Sequence, residues 1–276
     1  MGHGQRDQAI PRDERQYMLG ASSEEHARLI RQGNMLNPMT EMLLRASGIG
    51  PGMRVLDLGS GVGDVALLVA RLVGPTGRVV GVEQDPAMIA FARQRIAREG
   101  LAGVVTFVQG DASVWEPEAD SFDALVGRLI LMYLPDPEGA VGRLVRGVRP
   151  GGIVAFHELD FTHWDAFPPV ELHTLAYDLW RRLATRVGAR MQQGSSLPGL
   201  FARNGITAES IRADATFADA EHPDIPAHMV DTVRSLLPLL LRFGLATEEE
   251  VGIDTYEQRV RAEMREKNAI IALGVA

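Results

Sequence analysis

Between residues 52 and 160 the chain repeats one unit: a short apolar run, a turn, and then in most cases a stretch with apolar residues at helical spacing. The runs are "MRVLDL", "GRVVGVE", "VVTFVQGD", "FDALVGR" and "IVAFHELD", and the helical stretches are "VGDVALLVARLVG", "DPAMIAFARQRIAREG" and "PEGAVGRLVRGVRPGG". The second of these opens on Asp85 as a cap, carries Pro86 at its first helical position and stops at Gly100. Continuous apolar strands alternating with helices form parallel sheets covered on both faces. Two further strands are expected at "ESIRADATF" and "NAIIALGVA". The expected fold is therefore α/β: a Rossmann-like, doubly wound sheet of seven strands, mostly parallel. Its ligands should bind at the carboxyl ends of the strands.

Helical sequence flanks this core. Residues 1–48 read as an N-terminal helical cap. There "SSEEHARLIRQGNML" begins with the capping pattern of Ser22 and Glu25, and Asn37-Pro38 starts a second helix, "MTEMLLRAS". Residues 49–276 read as the α/β domain, with helical insertions at about 162–205 and 222–267, after strands five and six. These insertions are expected to cap the ligand end of the sheet.

Composition narrows the partners. The 276 residues are 46% hydrophobic and 23% charged, with a formal net charge of −8. An acidic chain is not built to attract phosphate backbones, so nucleic acid is not expected as a partner. No apolar run approaches the roughly 18 residues of a membrane helix, and the polar start "MGHGQRDQAIPRDERQ" has no apolar signal core. Cysteine is absent, which removes disulfides, thiolate ligands and thiol nucleophiles together. Lys267 is the only lysine, so a lysine Schiff base has one possible position. A cytoplasmic protein, monomer or homodimer, is the expectation.

The first turn holds the strongest chemical signal. In "VLDLGSGVGD" the glycines Gly59, Gly61 and Gly63 follow G-x-G-x-G. The dinucleotide pattern puts its third glycine three residues after the second, and a P-loop needs G-K-[ST]; neither is present. Asp57 and Asp64 flank the turn and oppose a pyrophosphate, but suit a ligand carrying an ammonium or sulfonium group. Glu83 ends the second strand, where an acid accepts from ribose hydroxyls. Asp111 in "QGDAS" ends the third, placed to accept from an exocyclic amine. The ligand so implied has an amino-acid end, a ribose and an amino-purine, and no phosphate.

In order and spacing, "VLDLGSGVGD", "VVGVEQD", "VQGDAS" and "LILMYLPDP" resemble class I S-adenosylmethionine-dependent methyltransferases, within them the small-molecule branch similar to ubiquinone/menaquinone C-methylases. The opening "YMLGASSEEHARLIRQ" and closing "DTVRSLLPLLLRFGLATEEEVGIDT" resemble a bacterial subgroup of that branch. The resemblance implies S-adenosylmethionine as cofactor, S-adenosylhomocysteine as product and a small-molecule acceptor, with specialised metabolism as the setting. Gly59, Ser60, Gly61 and Gly63 would wrap the methionine portion, with Asp57 near its amino group through water. Glu83 would bind the ribose hydroxyls, with Gln84 beside them. Gly110, Asp111 and Ala112 would meet the adenine, and Met88 and Trp115 would wall it. Arg128 and Leu129 would pass beside the methionine portion and the methyl group, and Tyr17 would close over the carboxylate.

The acceptor side is less defined. His157 and Glu158 end the fifth strand, and alternation points one of them toward the pocket as a base. Tyr133 stands where family members often carry His or Asn, and the segment "GRLILMY" lacks the N/D-P-P-Y signature of adenine-directed enzymes. His163 and Trp164 begin the cap, and His173 and Tyr177 share a helix face; all four are candidates to touch substrate. His157-Glu158 starts like H-E-x-x-H, but residue 161 is Phe, so no metal is expected. Leu-rich "SLLPLLLRFG" suggests an apolar or amphipathic acceptor, methylated on O, N or C. Non-methyl chemistry such as cyclisation on the same fold, and a non-enzymatic ligand-binding module, remain alternatives.

Overall fold

The computed structural model describes residues 23–161 and 164–275. Five strands form one parallel sheet: β1 (Arg54–Leu58), β2 (Arg78–Glu83), β3 (Val105–Gln109), β4 (Phe122–Arg128) and β5 (Val148–His157), in the order β3-β2-β1-β4-β5. Helices α2 (Asp64–Val73), α3 (Pro86–Arg98) and α4 (Pro137–Leu144) lie between them. The α3 start is as the residues require: Asp85 accepts from the Ala87 N–H at 2.7 Å and Pro86 takes the first turn. The order reverses between β1 and β4, which opens a crevice at the carboxyl ends there.

The seven-stranded sheet is not formed. The last strands, β7 (Asp214–Ala218) and β8 (Ile270–Val275), pair antiparallel with each other and with the two-residue β6 (Ala166–Phe167) in a separate three-stranded sheet. The N-terminal helices are also one. Helix α1 (Ser23–Ala46) runs through Pro38 without a break at Asn37.

The remaining helices are α5 (Glu171–Val187), α6 (Gln193–Arg203), α7 (Ile225–Arg242), α8 (Glu248–Val251) and α9 (Ile253–Lys267). Most of this cap has a core of its own, built from Leu179 and Leu183 of α5, Val233 and Leu240 of α7, and Tyr256 and Val260 of α9, all at 1% exposure or less. The leucines of "SLLPLLL" serve this core: Leu236 and Leu240 are fully buried in it and line neither of the two cavities described below. Helix α1 belongs to both cores: its Leu36 packs into the cap and its Leu44 packs under the sheet. Among the described residues no helix is long and apolar enough to cross a membrane.

Candidate active site

The crevice widens into a cavity of about 910 Å³, toward the upper end of the roughly 300–1,000 Å³ of small-molecule sites. The turn after β1 forms its base. Gly59 and Gly61 both adopt left-handed backbone, at φ 66° and 51°, which side chains resist. They differ in what surrounds them. A Cβ on Gly59 would sit 2.7 Å from the Ile130 side chain, whereas one on Gly61 would meet nothing within 4 Å. Gly59 is thus required for close packing, and Gly61 leaves bare backbone facing the cavity. Ser60 lines it as well. Gly63 does not; a Cβ there would press on Ala92 of α3 at 3.2 Å, so it serves helix packing.

Glu83 is held rigidly at the end of β2. Its Oε2 accepts from the Gly61 N–H at 2.9 Å, and its Oε1 accepts from the Gln84 and Asp85 N–H groups at 2.9 and 3.0 Å. Gln84 and Met88 share its side of the cavity. After β3, Gly110, Asp111 and Ala112 line the next stretch; Asp111 is exposed, with Oδ1 accepting from the Ser113 N–H at 2.8 Å. Trp115 packs behind Gly110, 2.6 Å from where a Cβ would be, and does not reach the cavity.

Asp57 sits behind the glycine turn at 1% exposure, outside the cavity wall. Neither carboxylate oxygen has a hydrogen-bond partner among the described residues. Burial pushes this carboxyl up to about 7, against the pull of the Arg128 guanidinium, while the Ser60 hydroxyl donates to the Asp57 backbone carbonyl at 3.1 Å. An open glycine backbone with an unpaired buried acid behind it suits a ligand bearing an ammonium group.

On the far side, Arg128 and Leu129 follow β4 and line the cavity with Ile130 and Tyr133. Arg128 is fastened from behind. Its Nη1 donates to Asn37 Oδ1 at 2.8 Å and to Thr40 Oγ1 at 3.2 Å on α1, and its Nη2 lies 3.6 Å from Asp64 Oδ2. Asp64 also pairs with Arg95 at 2.8 Å. The sequence gives little sign of Asn37, Thr40 or Arg95 as site residues. The one available signal was Asp64, an acid that begins a helix immediately after the glycine turn.

The expected bases are elsewhere. His157 shares a 2.9 Å hydrogen bond between its Nδ1 and the Thr40 hydroxyl, at 5% exposure. Burial and the Arg128 charge pull it down to about 4, so it is neutral and engaged on α1. Glu158 is fully buried, and its Oε1 accepts from the Ile130 and Leu131 N–H groups at 3.0 and 2.9 Å. It caps the 3-10 turn Leu131–Tyr133, and burial pushes it up to about 7. Neither lines the cavity: α1 covers β5, and the strand end turns its side chains to those partners. His173 and Tyr177 also stay outside, packed 6.0 Å from the Trp164 ring and 6.1 Å from the Phe161 ring. Burial pulls His173 down to about 4. Trp164 reaches a second, smaller cavity that Tyr133 shares with the main one. Tyr17 and His163 lie outside the described residues. Among the described residues no group of three His, Asp or Glu side chains could hold a metal ion.

Residues 49–195 match the family model for a methyltransferase domain. A ubiquinone/menaquinone biosynthesis C-methyltransferase UbiE from Pseudomonas putida is 32% identical over 216 residues, covering 76% of this chain and 82% of that protein. Another P. putida protein of that name is 32% identical over 151 residues, covering 55% of this chain and 57% of its own length. The match therefore spans little more than half of some of the curated relatives. The YcgJ protein of Bacillus subtilis aligns in structure over 87% of this chain and 97% of its own, with a TM-score of 0.57 and 18% identity, which shows a shared fold. With more than half the chain inside the family model, and a relative at this identity over most of its length, the chain belongs to the class I S-adenosylmethionine-dependent methyltransferases related to the ubiquinone/menaquinone C-methylases.

Proposed function

We propose that this chain methylates a small apolar or amphipathic metabolite, with the main cavity holding both cofactor and acceptor. The observation that carries the reading is the division of the cavity's walls. Polar groups from three successive strand ends, the Gly61 backbone, Glu83 and Asp111, gather on one side. The other side combines the apolar Leu129, Ile130, Tyr133 and Leu134 with the guanidinium of Arg128. S-adenosylmethionine, when bound, supplies a methyl group on a positively charged sulfur. Glu83 accepts from the ribose, Asp111 from the adenine amine, and Met88 packs beside the base. The turn around Gly61 receives the methionine portion, with the unpaired Asp57 carboxylate behind it. Arg128, fixed by Asn37, Thr40 and Asp64, sets where Leu129 and the acceptor side begin. Holding two reactants in line and excluding water is the main task of such a site.

No proton transfer is assigned to His157 or Glu158, since both are engaged outside the cavity. The names of the relatives attach C-methylation in quinone biosynthesis to those proteins; for this chain the acceptor atom is left open among O, N and C. The test is calorimetric titration with S-adenosylmethionine and with NAD, followed by an S-adenosylhomocysteine release assay over a panel of small acceptors. Binding of the former, with turnover on an apolar or amphipathic acceptor, is expected. Binding of NAD in its place would overturn the reading.

A further inference from the structure

The glycine turn between β1 and α2 is anchored in two halves. Its first half is held by β2: the Gly59 and Ser60 N–H groups donate to the Val82 carbonyl at 2.9 and 3.1 Å, and the Gly61 N–H donates to Glu83. Its second half is held by α3. A Cβ on Gly63 would lie 3.2 Å from Ala92. Three residues further along α3, and so on the same face, stands Arg95. Its Nη1 donates to the Val62 carbonyl at 2.6 Å, and its Nη2 donates to Asp64 Oδ1 at 2.8 Å. One guanidinium therefore grips the residues on both sides of Gly63. Gly63 has left-handed backbone, at φ 86°, and no side chain with which to cap α2, so the start of that helix is braced from α3. The ion pair is largely shielded, with the Arg95 and Asp64 side chains 19% and 7% exposed, where a charge-assisted bond holds its geometry well. Val62 and Asp64 line the main cavity, whereas Arg95 lines neither cavity.

We propose that Arg95 is a positioning residue for the amino-acid end of the cofactor. Its planar fork fixes the Val62 carbonyl relative to the Asp64 carboxylate, and so sets the shape of the turn that receives the methionine portion, without touching the ligand. Two bonds from one rigid group are what a fixed spacing requires; a lysine ammonium is a point charge on a flexible stem and does not impose it. The ribose and adenine ends have other supports. Glu83 is held by the Gln84 and Asp85 N–H groups, and Asp111 belongs to the turn after β3, where it accepts from Ser113. Loss of the Arg95 fork should therefore be felt at one end of the ligand only. The inference rests on the methyl-transfer reading above, which places the methionine portion at this turn.

The experiment is calorimetric titration of wild type, Arg95→Met and Arg95→Lys with S-adenosylhomocysteine, and with 5′-methylthioadenosine by competition against it. The second ligand keeps the adenine, ribose and sulfur and lacks the amino-acid end. Arg95→Met should weaken S-adenosylhomocysteine at least about tenfold, and 5′-methylthioadenosine by no more than about twofold. Arg95→Lys should lose less of the S-adenosylhomocysteine affinity than Arg95→Met, because one of the two bonds can be remade. Equal weakening of the two ligands means that Arg95 merely supports the fold, and S-adenosylhomocysteine affinity within about twofold of wild type means that the fork sets nothing; either result overturns the proposal. If Arg95→Met does not fold, Arg95→Lys decides by the same comparison of the two ligands. A wild type that does not bind S-adenosylhomocysteine, or binds it no more tightly than 5′-methylthioadenosine, overturns the placing of the cofactor itself, a result distinct from the others.

Discussion

Glu83→Ala tests the cofactor side most directly, because the structure limits how much this residue can contribute. A carboxylate has about four acceptor positions. Three are taken: Oε1 receives the Gln84 and Asp85 N–H groups and Oε2 receives Gly61. One position remains, on Oε2, so without rearrangement Glu83 can accept one ribose hydroxyl. A hydrogen bond to a charged group contributes about 1.5–3 kcal/mol. Removing it should weaken S-adenosylhomocysteine binding about 10- to 150-fold, at about 1.4 kcal/mol per decade. Glu83→Gln should lose nearly as much, since its amide turns an NH₂ group toward N–H donors on one side. The assay is calorimetric titration of each variant, with thermal unfolding in parallel. The three N–H groups lie near the cavity and can turn to water, so the melting temperature should change little. Affinity within about twofold of wild type, with an intact melting transition, would remove Glu83 from the site. A loss far beyond about 150-fold would mean that the three backbone bonds rearrange and that Glu83 takes both hydroxyls.

Other consequences follow from the buried groups. A Cβ on Gly33 would sit 2.6 Å from Asp64 Oδ2, so Gly33→Ala should cost about 1–3 kcal/mol of stability, read as a lower urea midpoint; an unchanged midpoint would refute the close docking of α1 on Asp64. Glu158→Gln keeps one acceptor for the Ile130 and Leu131 N–H groups and should cost less than about 1 kcal/mol, whereas Glu158→Ala strands both and should cost about 2–3 kcal/mol. Equal losses in the two variants would argue against the capping role. Acid should destabilise the fold gently. His157, His173 and His228 are held near 4, 4 and 3, below the 6.5 of a free histidine, so on acidification through about 6.5 the unfolded chain binds their protons first and stability falls. Asp57 and Glu158, raised to about 7, act oppositely between about 7 and 4.5, because the folded state binds their protons first. Three histidines against two carboxyls leave about one proton, or about 1.4 kcal/mol per pH unit between pH 4.5 and 6. Urea midpoints that stay level or rise on acidification in that window would contradict the burial of these histidines.

Much of the parallel sheet and of the strand-end wall of the cavity was legible because its causes are local. The five parallel strands follow from continuous apolar runs, and Asp85-Pro86 starts its helix by its own backbone chemistry. Gly61, Glu83 and Asp111 stand at strand ends, and a parallel sheet brings successive strand ends together by register alone: Glu83 pairs with Gln109, and Leu58 with Val82. What failed depends on tertiary partners. The strand character of 214–218 and 270–275 is local, but which sheet they join is decided by what packs beneath them; Ile271 and Leu273 bury into the cap, away from the parallel sheet. Asn37-Pro38 reads as a helix start by propensity, yet α1 continues through it, buried on both sides by Leu36 and Leu44.

His157 shows why the acceptor side resists reading from sequence. A histidine ending a central strand of this sheet can face the ligand or the helix that covers the strand, and alternation alone does not choose. Here Thr40 chooses. Its hydroxyl meets His157 at 2.9 Å and Arg128 at 3.2 Å, so one threonine on α1 ties the ends of β4 and β5 to the helix that also carries Arg28 and Gln32 into the cavity wall. The residue that looked like a base is therefore a fastener of the wall of the main cavity. If so, Thr40→Val should disturb acceptor binding more than cofactor binding. Among the described residues the Glu83 side has its own backbone anchors and no bond to α1, whereas Arg128 keeps Asn37 and Asp64 once the hydroxyl is gone.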